Sequence, residues 1–371
     1  MAALVAAIHV FVAARQGVDG RHKAGHDDQW WWSDSRAQLA SLNLTTNSKE
    51  TKMVDVALKP TMARAPARTV TAWDRLKVNR HWLGLWFMLP AAAFLLLFLV
   101  YPLGYGVWLS FTDTRIGRTG VYVGTENYEW LWGDATFWLV VFNTLLYTGV
   151  ASVFKFAIGL YLAILLNQSL PFKALIRALV LIPFIVPTVL SAIAFWWLYD
   201  AQFSIISWSL RHLGLIDHNI NFLGDVWNAR WSAIFANIWR GVPFVAITLL
   251  AGLQTVSPSL YEAATIDGAT PWQMFRHITY PLLTPIIAVV MTFSVLFTFT
   301  DFQLIWVLTR GGPVNATHLM ATLSYQRAII GGSLGEGAAI STAMIPFLLV
   351  AILMSWFGLQ RRKWQQGESN D

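Results

Sequence analysis

After about residue 80 the chain alternates long apolar runs with short polar stretches. The runs cover about 83–109, 138–166, 178–199, 231–253, 282–300 and 338–357. Each holds roughly 20 or more residues, enough at about 1.5 Å per residue to cross a hydrocarbon core of about 30 Å. The pattern predicts an all-α membrane protein with six transmembrane helices. Residues 81–112 carry the first helix, 138–360 a core of five more, and 361–371 a polar tail. Pro183 and Pro187 fall inside the third run. There they are expected to kink the helix, with neighbouring helices or water satisfying the freed carbonyls. In the stretch 200–230, Ile205, Ile206, Leu210, Leu213 and Ile216 are spaced to line one face of a surface helix.

The polar stretch 257–281, SPSLYEAATIDGATPWQMFRHITYP, is punctuated differently from the rest. Ser257 is placed to N-cap a helix opening at Pro258, and Gly268 to end it in the left-handed conformation. Thr270 and Gln273 have the spacing of a capping box, again with proline at the first helical position, and Pro281 opens the next apolar run. Two short helices with a tight break between them are expected. Ala263 and Ala264 let a partner backbone approach, while Glu262 and Asp267 can accept charge-assisted hydrogen bonds. Such a segment reads as a docking element, the plain alternative being an amphipathic loop helix.

Charge gives the orientation. Arg64, Arg68, Arg75, Lys77 and Arg80 precede the first run, Lys173 and Arg177 the third, and Arg276 the fifth, while Arg361, Arg362 and Lys363 follow the sixth. The positive-inside rule then puts both termini and the 257–281 loop on the cytoplasmic side. The basic residues on the other side, Arg115, Arg118, Arg211, Arg230, Arg310 and Arg327, are accompanied by acids such as Asp113, Glu126, Glu129 and Asp134. Residues 1–80 are expected to be a disordered extension, or to lie upstream of a start at Met53 or Met62.

Composition agrees with a membrane protein and removes several functions. Of 371 residues 56% are hydrophobic and 12% charged, against about 25% charged in soluble domains. The net charge of +6 is spread over the ends of apolar runs, so topology explains it and nucleic acid does not. Cysteine is absent, which removes disulfides, thiolate nucleophiles and thiolate metal sites. The chain has no GxxxxGK[ST] phosphate loop, GxSxG elbow, HExxH pair or metal-spaced histidine cluster. It therefore carries no catalytic residues, metal ligands or cofactor site of its own.

Glu262, Ala263, Ala264, Asp267 and Gly268, with Ile278 and Pro281 after them, resemble the EAA loop of membrane subunits of binding-protein-dependent ATP-binding-cassette importers. The usual Leu before the last proline is Tyr280 here. The likeness to the sugar-permease, maltose-type (MetI-like) branch runs over about residues 82–363. It includes Tyr101-Pro102, Ser110-Phe111, Asn127-Tyr128, Asn143-Thr144, Trp239 and the run 308–313, LTRGGP. The resemblance implies a type I importer permease in the bacterial inner membrane that moves a sugar or sugar-like solute. Its implied partners are a second, homologous permease, two ATPase subunits that bind the ATP and Mg, and an extracytoplasmic solute-binding protein. It further implies that Tyr261, Glu262, Ala263, Ala264, Asp267 and Gly268 seat in the ATPase, while Trp272 to Ile278 pass the motion to the fifth span.

By the same resemblance the substrate site falls on Asn237, Arg240, Gly241 and Phe244 of the fourth span and on Ser294, Phe297, Thr298, Asp301 and Gln303 of the fifth. Amides and guanidinium for hydroxyls, a carboxylate acceptor and aromatic faces are the groups a sugar needs, with Gly241 leaving room for a ring. Phe244 and Phe297 have helix packing as their plain alternative, and Phe299, facing away from the set, is expected to be a packing residue. Arg240 and Asp301 depart from the uncharged residues common in the family. They either pair with each other across the two spans or grip a polar or anionic sugar. A span charge is costly, so Lys155 also needs an account. It either lines a water-filled path or, the expected role, pairs with a partner subunit. An ion-coupled secondary transporter is the alternative reading, but two cations and one peripheral acid make a poor coupling set.

Overall fold

A computed structural model describes residues 80–365, with side chains over most of 84–353. Expectations for residues 1–79 and 366–371 lie outside the described residues. The elements that build the site all belong to the unit Leu85–Asp371. The described residues are helical, and strand pairing among them is limited to isolated bridges such as Thr112 with Tyr122. Five helical segments are long and apolar enough to cross a membrane: Gly84–Leu109, Ala135–Asn167, Val226–Leu253, Pro271–Leu308 and Leu334–Leu353.

Helix α1 (Arg80–Leu95) passes through a π-helical turn, Leu96–Val100, into α2 (Tyr101–Leu109). Pro102 follows that turn, and a π-bulge is one way a helix absorbs the amide hydrogen that proline lacks. Leu85 to Tyr105 is exposed at every position, as an apolar rod with only lipid or a partner to cover it would be. Helix α3 (Glu126–Gly133) is tied to the end of α2, because Asn127 Nδ2 donates to the Ser110 and Thr112 carbonyls and the Tyr128 hydroxyl meets Ser110 Oγ.

The centre is the pair α4 (Ala135–Asn167) and α8 (Val226–Leu253). Asp134 caps the first and Asp225 the second, each carboxylate accepting from amides of the opening turn. Small residues let the two backbones approach, as is usual between membrane helices. Ala151, Ala163, Ala233 and Ala246 are buried, and a Cβ on Gly159 would lie 2.7 Å from Val245 Cγ1.

The third apolar run is sharply broken, and it makes a sixth candidate span if the bent pair crosses as one. It forms α5 (Lys173–Ile185) and α6 (Thr188–Leu198), which meet at 89°. Pro183 is accommodated inside α5, so the break comes from Pro187 alone. The residue before a proline is driven to extended backbone, and Val186 has φ −62° and ψ 129°. A short α7 (Ile205–His212) forms where expected, with Ile206 packed on the core and Ile205 and Leu213 exposed.

The 257–281 stretch also differs in part. Helix α9 (Pro258–Ile266) opens after Ser257, but the Ser257 hydroxyl meets Ser259 Oγ and caps no amide. Gly268 ends the helix at φ +75°, and the Thr270–Gln273 capping box forms. The second helix is not separate from the next span. Helix α10 (Pro271–Met274) runs through a π-helical turn, Phe275–Thr279, into α11 (Tyr280–Phe299), so the fifth span begins at Pro271 rather than near residue 282.

After Phe299 the helix breaks, then resumes as α12 (Gln303–Leu308), whose Leu304 and Ile305 are fully buried. Gly311 turns the chain at φ +90°, where a Cβ would strike the buried His318 ring. Helix α13 (Met320–Tyr325) and a π-helical turn lead to α14 (Leu334–Gln365), so the first residues of the expected tail 361–371 are helical. Phe299 stacks on Phe347 of α14, the packing role expected of it.

Candidate functional site

The described residues line an open cavity of about 490 Å³ between α4, α8, α11 and the bend of α5 and α6. All nine residues named for the substrate site line it: Asn237, Arg240, Gly241 and Phe244 from α8, Ser294, Phe297 and Thr298 from α11, Asp301 from the break after it and Gln303 from the start of α12. Helical spacing puts the α8 group on one side of that helix. The unwinding after Phe299 lets Asp301 turn inward and cap α12, its Oδ1 accepting from the Leu304 amide at 3.3 Å.

Asp301 has neutral partners. Tyr147 donates its hydroxyl to Asp301 Oδ2 at 2.9 Å and Asn237 donates Nδ2 at 2.8 Å. A carboxylate only accepts, so the Asn237 NH₂ must face it and Asn237 Oδ1 is turned elsewhere. That oxygen is buried with no hydrogen-bond partner in the protein. The Arg240–Asp301 ion pair does not form. The ion pairs among the described residues, Arg118–Asp113, Arg327–Asp134 and Arg327–Glu336, all lie elsewhere. Arg240 Nε is itself buried without a partner.

Lys155 comes to the cavity, contrary to the expectation that it pairs with another subunit. It is 3% exposed and donates Nζ to Thr298 Oγ1, which donates on to the Ser294 carbonyl. Gly241 makes room for this lysine, since a Cβ there would lie 2.4 Å from Lys155 Cδ, and it also lines the cavity. Residues not singled out from sequence also contribute. Phe184 of α5 stacks on Phe244 with centroids 5.8 Å apart, and Thr188, Thr300 and Phe302 complete the wall. Tyr147 and Lys155 are eight residues apart on α4, two turns along one face. That spacing was the available signal for their joint role, whereas Phe184 and Thr188 needed the bend at Pro187 to bring them in.

The loop residues make a second, exposed constellation. Glu262, Ala263, Asp267 and Gly268 are exposed, Ala264 and Ile278 half-buried. Tyr261 is turned inward, its hydroxyl 2.9 Å from Thr279 Oγ1, so α9 is fastened to the root of α11. Ile266 (86% exposed) and Trp272 (66%) leave apolar surface uncovered beside Glu262 and Asp267. No group of three or more metal-ligating side chains gathers among the described residues.

Comparison with known proteins gives one consistent result. The model of the family described as binding-protein-dependent transport system inner membrane component matches residues 155–366. The trehalose/maltose transport system permease protein MalF of Thermococcus litoralis is 34% identical over 278 residues, covering 75% of this chain and 92% of that one. The sulfoquinovosyl glycerol transport system permease protein SmoG of Agrobacterium fabrum is 32% identical over 292 residues, covering 76% and 92%. Among solved structures, the bacterial alginate transporter in complex with an alginate pentasaccharide-bound periplasmic protein contains a chain of 25% identity. It aligns with a TM-score of 0.66 over 81% of this chain and 99% of that chain.

Proposed function

The chain belongs to the family of binding-protein-dependent transport system inner membrane components, and we propose that it passes a sugar or sugar-like solute inward through the cavity between α4, α8 and α11. The observation that carries this reading is the meeting of Asn237, Arg240, Asp301, Phe244 and Phe297 around one space of about 490 Å³. Aromatic faces suit sugar C–H surfaces, and the amide, guanidinium and carboxylate suit hydroxyls. Relatives whose names refer to trehalose, maltose and sulfoquinovosyl glycerol support the solute class.

The chain is a permease and not an enzyme, so the work of transport enters from outside it. In this reading the 257–281 loop faces the cytoplasm, as do both termini, and the protein sits in a bacterial inner membrane. Glu262, Asp267 and the uncovered Ile266 and Trp272 seat in an ATP-binding-cassette subunit, and Gly268 makes the break. Because α10 runs on into α11, a push on the loop is a push on the helix that carries Ser294, Phe297 and Thr298. Two such ATPases hold the ATP and Mg, a second permease closes the other side of the path, and a binding protein delivers the solute. Alternating access then follows from closing and opening the ATPase pair.

The test is purification of the full chain in mild detergent, with identification of the co-purifying subunits and of the ligand on any binding protein, followed by uptake assays. Arg240→Ala is expected to abolish uptake, by at least about 100-fold, while the assembly still purifies intact. Uptake at the normal rate in that variant would overturn the site. A purified assembly without an ATPase would overturn the mode of drive.

A further inference from the structure

The cavity holds more positive charge than it neutralises. Lys155 and Arg240 both line it, and Asp301 is its single acid. That carboxylate is already engaged by Tyr147, Asn237 and the Leu304 amide. Lys155 has one acceptor, Thr298 Oγ1, for the three protons of its ammonium. Arg240 Nε is buried with none, and no ion pair among the described residues involves either cation. A buried unmatched charge is costly, and more so at membrane depth. Asn237 Oδ1, one turn from Arg240 on the same helix, is a buried acceptor of the set without a partner. The cavity thus offers two cationic donors with a buried neutral acceptor beside them.

Resting on the sugar-permease reading above, we infer that the solute is an acidic sugar. Its carboxylate, sulfonate or phosphate is met by Arg240 with Lys155 behind it, and a neighbouring hydroxyl donates to Asn237 Oδ1. A neutral sugar could fill the hydrogen bonds but would leave the cavity with an excess of positive charge. An acidic one satisfies both, and charge-assisted bonds to guanidinium are the strong ones. Lys155 is the positioning residue of the pair. Its stem lies against Gly241 and its head is fixed by Thr298, so it supplies field from the wall.

The test compares matched probes on the whole importer, purified through this chain and held in lipid nanodiscs. The probes are maltose against its aldonic acid maltobionate, and glucose against glucose 6-sulfonate, with affinity read by direct binding. The acidic member of each pair is expected to bind at least tenfold more tightly. Arg240→Gln should cut that ratio at least tenfold, Arg240→Lys should keep most of it, and Lys155→Met should lower it less. Melting curves of each variant check that the assembly is intact. If maltose and glucose bind as well as their acids, or if Arg240→Gln leaves the ratio unchanged, the inference falls and the sugar-permease reading stands. If Arg240→Gln instead releases the second permease, the counter-charge belongs to that partner and the inference also falls. If no probe of either kind binds or is taken up, the sugar reading falls with it.

Discussion

Arg230 and Arg240 lie on the same helix, less than three turns apart, and the protein treats them oppositely. Arg230 is 9% exposed and held by groups of the protein itself. Its Nε donates to Asn143 Oδ1 and to the Ala316 carbonyl, both at 3.1 Å, and its guanidinium lies over the rings of Trp227 and Phe142. Asn143 Nδ2 in turn donates to the Asn315 and His318 carbonyls. The result is a clasp that fastens the loop between α12 and α13 to α4 and α8. Arg240 opens into a cavity and has a buried nitrogen with no partner. A cation held at Nε and over aromatic rings by the protein's own groups is a structural part. One that faces a cavity with a buried donor left unfilled is waiting for something else. Charge in a span therefore does not mark function by itself; the unfinished bonding does.

The largest effect that tests this contrast is on the clasp. Arg230→Ala leaves Asn143 Oδ1 and the Ala316 carbonyl unmatched and removes the ring contacts. We expect a loss of roughly 2–4 kcal/mol, read as a lower melting temperature and lower yield of assembled protein. A normal melt would erase the distinction between the two arginines, because Arg240→Ala is expected to assemble normally.

A smaller effect sharpens the other side. Gly241→Ala puts a Cβ against Lys155 Cδ. In a filled core such a clash costs about 1–3 kcal/mol. Here the lysine stem has the cavity to move into, so the stability cost should sit near the low end, about 1 kcal/mol, while uptake falls several-fold. A severe loss of folding with unchanged uptake kinetics would show that the cavity wall is as rigid as the clasp.

An effect that is smallest at neutral pH, where it vanishes, concerns acid. His318 lies in the clasped loop, its Nδ1 3.0 Å from Thr322 Oγ1, and burial pushes its pKa down from 6.5 to about 4. The unfolded chain therefore binds the proton more readily, and stability rises with pH through this window. The loop should be fully stable above about pH 6.5 and weaken progressively toward about pH 4. His318→Gln should flatten that part of a melting-temperature profile. An unchanged slope would mean that other groups carry the acid sensitivity.

The sequence by itself determined what local physics determines. Runs of apolar residues long enough for a bilayer fixed where helices form, and Gly268 with the Thr270–Gln273 box fixed the punctuation of the loop, because caps and left-handed glycines are decided within a few residues. The nine cavity residues were legible only through family likeness, and their pairing was not. Whether Asp301 meets Arg240 or Tyr147, and whether Gly241 makes room for a ligand or for Lys155, depends on how α4, α8 and α11 are set against one another. The tertiary structure alone decided the 89° bend at Pro187 that brings Phe184 and Thr188 to the cavity, and the fusion of the loop's second helix with α11. A proline states that a helix can break, but the angle belongs to the packing on either side. Hydrogen-bond partners more than a hundred residues apart, as Tyr147 and Asp301 are, leave no mark in local sequence.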